Sequence, residues 1–381
     1  MNAIKPTASE EELDRMSDLS TPAGMKSTSG NKGVVRATVI GTGKISEEHL
    51  NFLSTTPGIE LAAVCDLSPA LAAFSARKFR AQAHFTDYAQ MLRKLSPDVV
   101  HVLTPAQTHL AVASHCLDAG AHVIVEKPAA LSSNDLKRLT ALASECGRWV
   151  IEDHNYRFNR SVNAIEAVLA RGELGEVREV DVRLALNIRA KGGRYADENL
   201  PHPSHRLPAG VIHEFITHMA YLTLRFLPGV ERVQSNWNNY GKGGTFLYDD
   251  LDAIAFAGSA HARLRFTCMT LPESFTITIR GSKGWAETDL FQPYLRLVTQ
   301  RPGGKLSPLV NHAANGCAFM RAAVAGFKEK LLQNTPYHGL HAFLAQTYSA
   351  IRCGKVPPVT YTDMERASWL VDSLLNEDNR R

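Results

Sequence analysis

The chain has 381 residues, of which 44% are hydrophobic and 21% charged, with a formal net charge of +4. This length suits two domains of roughly 100–200 residues each, and the composition excludes a disordered or membrane class. The small, dispersed positive charge argues against nucleic acid, and no apolar run reaches the roughly 18 residues of a bilayer span.

Residues 1–33 are rich in Pro, Ser, Gly and Glu and poor in large apolar groups. They read as a disordered tail without a signal-peptide or transit-peptide pattern. Val34 to Ile40 then forms a β-branched apolar run, which predicts a buried strand. It leads into Gly41-Thr42-Gly43-Lys44-Ile45, and Ser46-Glu47-Glu48 has the composition of a first helical turn. Strand, Gly-x-Gly and helix in that order suit a dinucleotide pyrophosphate. Gly41 permits the turn, Gly43 admits the phosphates, and the helix supplies free N–H groups. Ser46 stands at the third position of the fingerprint, where Gly or Ala is usual.

A second apolar strand over 59–64 ends at Cys65-Asp66, with Asp66 placed 20 residues beyond Ser46. A carboxylate there accepts hydrogen bonds from ribose hydroxyls and repels a 2′-phosphate, which favours NAD over NADP. The competing reading is a cap for the helix beginning near Ser68-Pro69. Alternation continues with a helix over 71–79, a strand over 83–85, a helix over 88–95 and an apolar run over 99–103. Thr104-Pro105-Ala106-Gln107-Thr108-His109 follows, then a helix closed by Gly120, then a strand ending at Glu126-Lys127-Pro128. A helix from Ser132-Ser133 and a strand over 149–153 complete the set. Continuous apolar strands alternating with helices predict a parallel sheet covered on both faces. Lys127 falls at its carboxyl edge, where ligands bind, and its ammonium can stabilise negative charge on a substrate oxygen. The six cysteines are dispersed without a Cys-x-x-Cys and read as reduced, mostly buried thiols of a cytoplasmic protein.

Glu126-Lys127-Pro128, preceded by Thr104-Pro105…His109, and Asn155-Tyr156-Arg157-Phe158-Asn159 after the last strand resemble the glucose–fructose oxidoreductase/inositol dehydrogenase (Gfo/Idh/MocA) family. The likeness runs from Val34 to the C-terminus and is strongest over 34–160. It implies an NAD(P)-dependent oxidoreductase with an N-terminal Rossmann domain over 34–154 and a second domain over 155–381. Thr104, Pro105, His109, Glu126 and Lys127 would join Gly41, Thr42, Gly43, Lys44, Ile45 and Asp66 around the cofactor. Ala106 departs from the Asn common in that family.

Beyond residue 160 the pattern changes to period two, as in Val180, Val182, Leu184, Leu186 and Ile188, and again over 262–268 and 275–279. Turns are expected at 241–244, 281–284 and 302–304, and helices at 312–333, 338–353 and 362–376. This predicts an α+β domain built on a large, mostly antiparallel open sheet. The family resemblance implies a homo-oligomer, dimer or tetramer, through that sheet. A helix over 210–227 carries Glu214 and His218, four residues apart and so on one face. They match the family's Asp and His facing the nicotinamide, with Glu for Asp and Ile216 for a common Gly. His218 is the expected proton acceptor, being a side chain that titrates near neutrality, and Glu214 would orient it or the substrate.

His213 and His218 lie five residues apart, about 140° around the helix, so they cannot share a metal as an i, i+4 pair does. No metal site is expected. The basic loop 189–206 is read as solvated, or alternatively as the rim of a pocket for a uronate or nucleotide sugar. Arg157, Arg189, Tyr195 and His205 are the substrate candidates. The expected function is hydride transfer between NAD and a secondary alcohol or ketone of a sugar, polyol or sugar derivative. The alternatives are a non-catalytic cofactor-binding protein of the same fold, or a member with tightly held cofactor that performs sugar exchange or elimination.

Overall fold

Strand β1 (Val35–Ile40) is buried at every position but Arg36, which places it mid-sheet. The structure, a computed structural model, describes residues 33–197, 202–241, 245–300, 304–331 and 338–379. The tail expected over 1–33 lies outside them but for Gly33, as do the turn residues 242–244 and 302–303. Around β1 stand β2 (Ile59–Cys65), β3 (Ala83–Phe85), β4 (Val99–Val102), β5 (His122–Val125) and β6 (Val150–Glu152). They pair in the order β3-β2-β1-β4-β5-β6, all parallel. The crossover helices are α1 (Ser46–Thr55), α2 (Pro69–Phe79), α3 (Tyr88–Leu95), α4 (His109–Asp118) and α5 (Ser133–Glu145). Strand order reverses between β1 and β4, so the crevice for a ligand opens at their carboxyl ends. This is the doubly wound sheet expected from the sequence.

A 3₁₀ turn over Asn155–Phe158 and α6 (Arg160–Ala170) lead into the second sheet. Its strands are β7 (Val177–Ala185), β8 (Arg232–Asn238), β9 (Asp250–Ala257), β10 (Ala260–Thr267), β11 (Ser274–Gly281), β12 (Gly284–Asp289) and β13 (Arg296–Thr299). They lie in the order β13-β12-β11-β7-β10-β9-β8, with only β7 and β10 parallel. The period-two residues Val180, Val182 and Leu184 face inward with Leu264, Phe266, Ile277 and Ile279, in one core with Ile216, Met219 and Ala220 of α7 (His213–Phe226). On the alternate positions, Arg265 pairs with Asp181 and Arg263 with Asp252. Sequence periodicity did not mark β8, β9, β12 or β13. Their inward positions are small or few, such as Ala253 and Ala255 in β9, or Ala286 in β12.

Three more helices close the chain: α8 (Ser307–Leu331), α9 (His338–Cys353) and α10 (Tyr361–Leu375). Leu340, Phe343, Leu344 and Tyr348 of α9 enter the core of the first sheet, whereas Ala367, Leu370, Val371 and Leu374 of α10 enter that of the second. These helices tie the two walls of the crevice together. A capping box between Thr360 and Asp363 fixes the start of α10, and Asp363 also pairs with Arg157.

Candidate active site

The glycine loop is shaped by two different requirements. Gly41 has φ of 92°, and a Cβ there would lie 2.7 Å from the Leu103 carbonyl oxygen, so only glycine fits. A Cβ at Gly43 would meet no atom within 4 Å, so packing does not demand that glycine. No described acceptor takes the N–H groups of Gly43, Lys44 or Ile45, and α1 begins without a side-chain cap. A cradle with spare donors at a helix start fits a pyrophosphate. Ser46 has its own reason: its buried hydroxyl donates to the Gly43 carbonyl at 2.6 Å and braces the turn. Asp66 accepts from the Thr42 N–H at 2.9 Å and the Thr42 hydroxyl at 2.8 Å, and from the Ser68 N–H at 2.9 Å. The carboxylate thus latches the glycine loop and the entry to α2, and the helix cap itself is Ser68.

Lys127 follows β5, joined to Pro128 by a cis peptide bond. Its ammonium crosses to the second domain and donates to the Glu214 backbone carbonyl at 3.0 Å. Near it, the Gln107 amide donates to the Pro203 carbonyl at 3.0 Å, a second tie across the crevice. His109 is buried between the Thr104 and Pro128 carbonyls, at 2.6 and 2.8 Å. Burial holds its pKa below the ordinary value against the pull of both carbonyls. It therefore joins the loop after β4 to the loop after β5 from within.

The Glu214 carboxylate accepts from the Tyr195 hydroxyl at 2.7 Å and from the Ser204 hydroxyl, with Arg194 at 3.5 Å and His202 at 3.9 Å. Burial favours its neutral form, but the Lys127 charge and the two hydroxyls outweigh it, so the pKa falls below the ordinary value. Glu214 is ionised at neutral pH. His218, one turn further along α7, lies 2.8 Å from the Tyr221 hydroxyl, which contacts Asn155 at 3.3 Å. The ring also meets Tyr156 edge-on at 4.8 Å between centroids. Burial, then the charges of Lys127 and His154, push the His218 pKa well below its usual value. The expectation of a near-neutral titration is corrected here: inside this aromatic box the imidazole is neutral.

The substrate candidates divide. Tyr195 reaches Glu214, as described. Arg157 is buried against Asp363 at 3.1 Å. Arg189 donates to Asp249 at 2.8 Å and to the Gly241 carbonyl at 2.8 Å, over the Phe246 ring. His205 bridges the Thr245 and Tyr195 carbonyls at 3.0 and 2.7 Å. Arg157 thus ties the 155–158 turn to α10, and Arg189 and His205 tie their loop to the segment 241–249, so all three are engaged within the fold rather than presented to a sugar. Ser204, His202 and Arg194, which the sequence reading did not single out, surround Glu214. Their signal was available only as their position in the same Gly/Pro-punctuated loop.

Residues 35–154 match the model of the Gfo/Idh/MocA oxidoreductase family, described as having an NAD-binding Rossmann fold. This domain belongs to that family. Over 162 residues the chain is 32% identical to 4-carboxy-2-hydroxymuconate-6-semialdehyde dehydrogenase of Sphingobium sp., covering 42% of this chain and 51% of the relative. It is 30% identical over 144 residues to D-glucoside 3-dehydrogenase of Escherichia coli, covering 38% and 41%. The chain thus spans about half the length of the curated relatives it matches. The WlbA dehydrogenase of Bordetella pertussis, solved with NADH and UDP-GlcNAcA, shares the fold with a TM-score of 0.70 at 19% identity, over 90% of this chain and 94% of that one. NAD is the cofactor of the Gfo/Idh/MocA domain, and the open cradle at Gly43 fits it.

Proposed function

We propose that the protein is an NAD(H)-dependent oxidoreductase interconverting a secondary alcohol and a ketone on a sugar or polyol. The reading is carried by one observation: Lys127, at the mouth of the Rossmann crevice, meets the first turn of α7, where Glu214 gathers hydroxyl donors. Bound NAD supplies the hydride acceptor. Lys127 stabilises negative charge on the substrate oxygen. Glu214, ionised, accepts hydrogen bonds from substrate hydroxyls in place of those from Tyr195 and Ser204. His218 is neutral and so has a lone pair for the alcohol proton, though its depressed pKa makes it a weak base.

The ionised Glu214 and the internal engagement of Arg189 and Arg157 favour a neutral sugar or polyol over a uronate. The relatives named for glucoside dehydrogenation and the WlbA complex with a nucleotide sugar acid bracket these choices. The test is a screen of sugars and polyols with NAD and NADP, following absorbance of the reduced nicotinamide. Lys127→Met is expected to keep NAD binding and to lower kcat by at least about a hundredfold, the scale of one lost electrostatic stabiliser. Turnover within a few-fold of the parent would remove Lys127 from the chemistry.

A homo-oligomer and a cytoplasmic location complete the proposal. Support for the first is α8, which exposes Leu309, Phe319, Met320, Val324 and Phe327. For the second, four of the six thiols are wholly or partly buried, although Cys317 and Cys353 are exposed, and no described helix is long and apolar enough to cross a membrane.

A further inference from the structure

Behind Lys127 lies a cluster to which the function above assigns no step, although its member Glu126 was expected near the cofactor. The Glu126 N–H bonds the Val102 carbonyl and the Asp153 N–H bonds the Val125 carbonyl, so these residues end adjacent strands with both carboxylates side by side. His49 of α1 covers them, its Nε2 3.8 Å from Glu126 Oε1 and 3.7 Å from Asp153 Oδ2. All three residues are buried, and one ring nitrogen of His49 and one oxygen of each carboxylate lie within 4.8 Å of one another. Glu126 Oε1, both Asp153 oxygens and His49 Nε2 have no hydrogen-bond partner among the described residues. Two ionised carboxylates cannot be buried together at that cost. One proton between them resolves it.

We propose that Glu126 and Asp153 share one proton, forming a carboxylate pair of single negative charge that holds Lys127 in its working state. Both are positioning residues acting through Lys127, so the catalytic part of the proposal rests on the function proposed above. Burial, then the neighbouring charge of Glu126, raises the Asp153 pKa well above its usual range. Burial also raises that of Glu126, but the His49 contact and the Lys127 charge reverse this and leave it lowered. Asp153 therefore carries the proton and Glu126 the charge.

Polar satisfaction orients the rest. His101 lies with Nδ1 2.8 Å from His49 Nδ1 and Nε2 2.9 Å from the Tyr348 hydroxyl. Burial keeps His101 neutral, with a single N–H to share between two contacts. If Tyr348 donates to His101 and His101 to His49, the N–H of His49 points at the carboxylates. The opposite sense would aim a lone pair at them. The donors therefore run from Tyr348 on α9 through His101 and His49 to the pair. The other titratable groups facing it are Lys127, His109 from α4 and Tyr221 from α7.

The test is infrared spectroscopy of the full chain in D₂O at pH 7, where ordinary carboxyls are ionised. A protonated-carboxyl band is expected in the parent and absent from Asp153→Asn. It should persist in Glu126→Gln, because burial is the first cause of the raised Asp153 pKa, and its presence in the parent is read without any variant having to fold. In kinetics, Asp153→Asn, the neutral isostere, should stay within a few-fold of the parent. Glu126→Gln, which removes the pair's single charge, should lose at least tenfold in kcat with KM within a few-fold of the parent. A parent without the band, or one purified with stoichiometric metal at these residues, would overturn the pair. A persistent band together with an active Lys127→Met would instead keep the pair and remove the proposed role of the lysine.

Discussion

The two glycines of the opening loop look equivalent in sequence and are not. At Gly41 an alanine must adopt a left-handed backbone, costing about 1–2 kcal/mol, and its Cβ would strike the Leu103 carbonyl. At Gly43 neither penalty applies. Gly41→Ala is therefore expected to lower the melting temperature by several degrees even without ligand. Gly43→Ala should melt like the parent while its NAD dissociation constant rises on the order of tenfold, about 1.4 kcal/mol. Calorimetry on the unliganded chain and titration with NAD separate the effects. Equal melting losses in both variants would mean that the space above Gly43 is not kept for a ligand.

At the scale of elements, the Rossmann half was legible because its strands are continuous apolar runs and its turns carry Gly41, Gly120 and Gly147. Helix α3 has the bounds expected from sequence, 88–95, and Asp87 before it accepts from the Ala89 and Gln90 N–H groups. The segment 189–206 was legible as a loop but not in its purpose. In sequence Arg189 belongs to a basic loop read as solvated or as a substrate rim; only the fold brings Asp249, 60 residues away, onto it. Asp249 is fully buried and also accepts from the Tyr240 and Gly241 N–H groups, at 2.8 Å each. The cluster of Glu126, Asp153 and His49 was invisible for the same reason, since its members come from three separate strand and helix ends. Removing the guanidinium strands the Asp249 charge, so Arg189→Met should cost about 3 kcal/mol in denaturant unfolding. It should also raise KM for neutral and anionic substrates alike. A selective loss for anions with unchanged stability would return Arg189 to the role of a substrate ligand.

For the whole molecule, burial sets the pH range of stability. His101 and His218 are held neutral well below the ordinary histidine pKa, and His122 and His213 are lowered to about 4, in each case first by burial. His122 shows the geometry directly, its Nδ1 accepting from the Trp149 N–H at 3.0 Å, a bond that protonation would break. For such groups the folded pKa lies below the unfolded value of about 6.5, so their stability is present above that pH and is lost as pH falls. Glu214, Glu126 and Asp363, also lowered, act in the same sense below about pH 4.5, whereas Asp153 and Asp250, raised, act against them. A fall to about 4 amounts to roughly 3 kcal/mol each for His122 and His213, already a large part of the 5–15 kcal/mol a domain usually has, and His101 and His218 add in the same sense. Cooperative unfolding should therefore come between about pH 6 and 4, before all four histidines can charge. On the alkaline side, the buried thiols Cys65, raised to about 11, and Cys116 and Cys268, raised to about 12, lose stability only as pH climbs past the ordinary thiol range. Thermal melts from pH 4 to 10 should show a plateau from about 7 to 8.5 with the steeper fall on the acid side. A melting temperature flat from pH 7 to 4 would mean that these histidines are not buried in the neutral form.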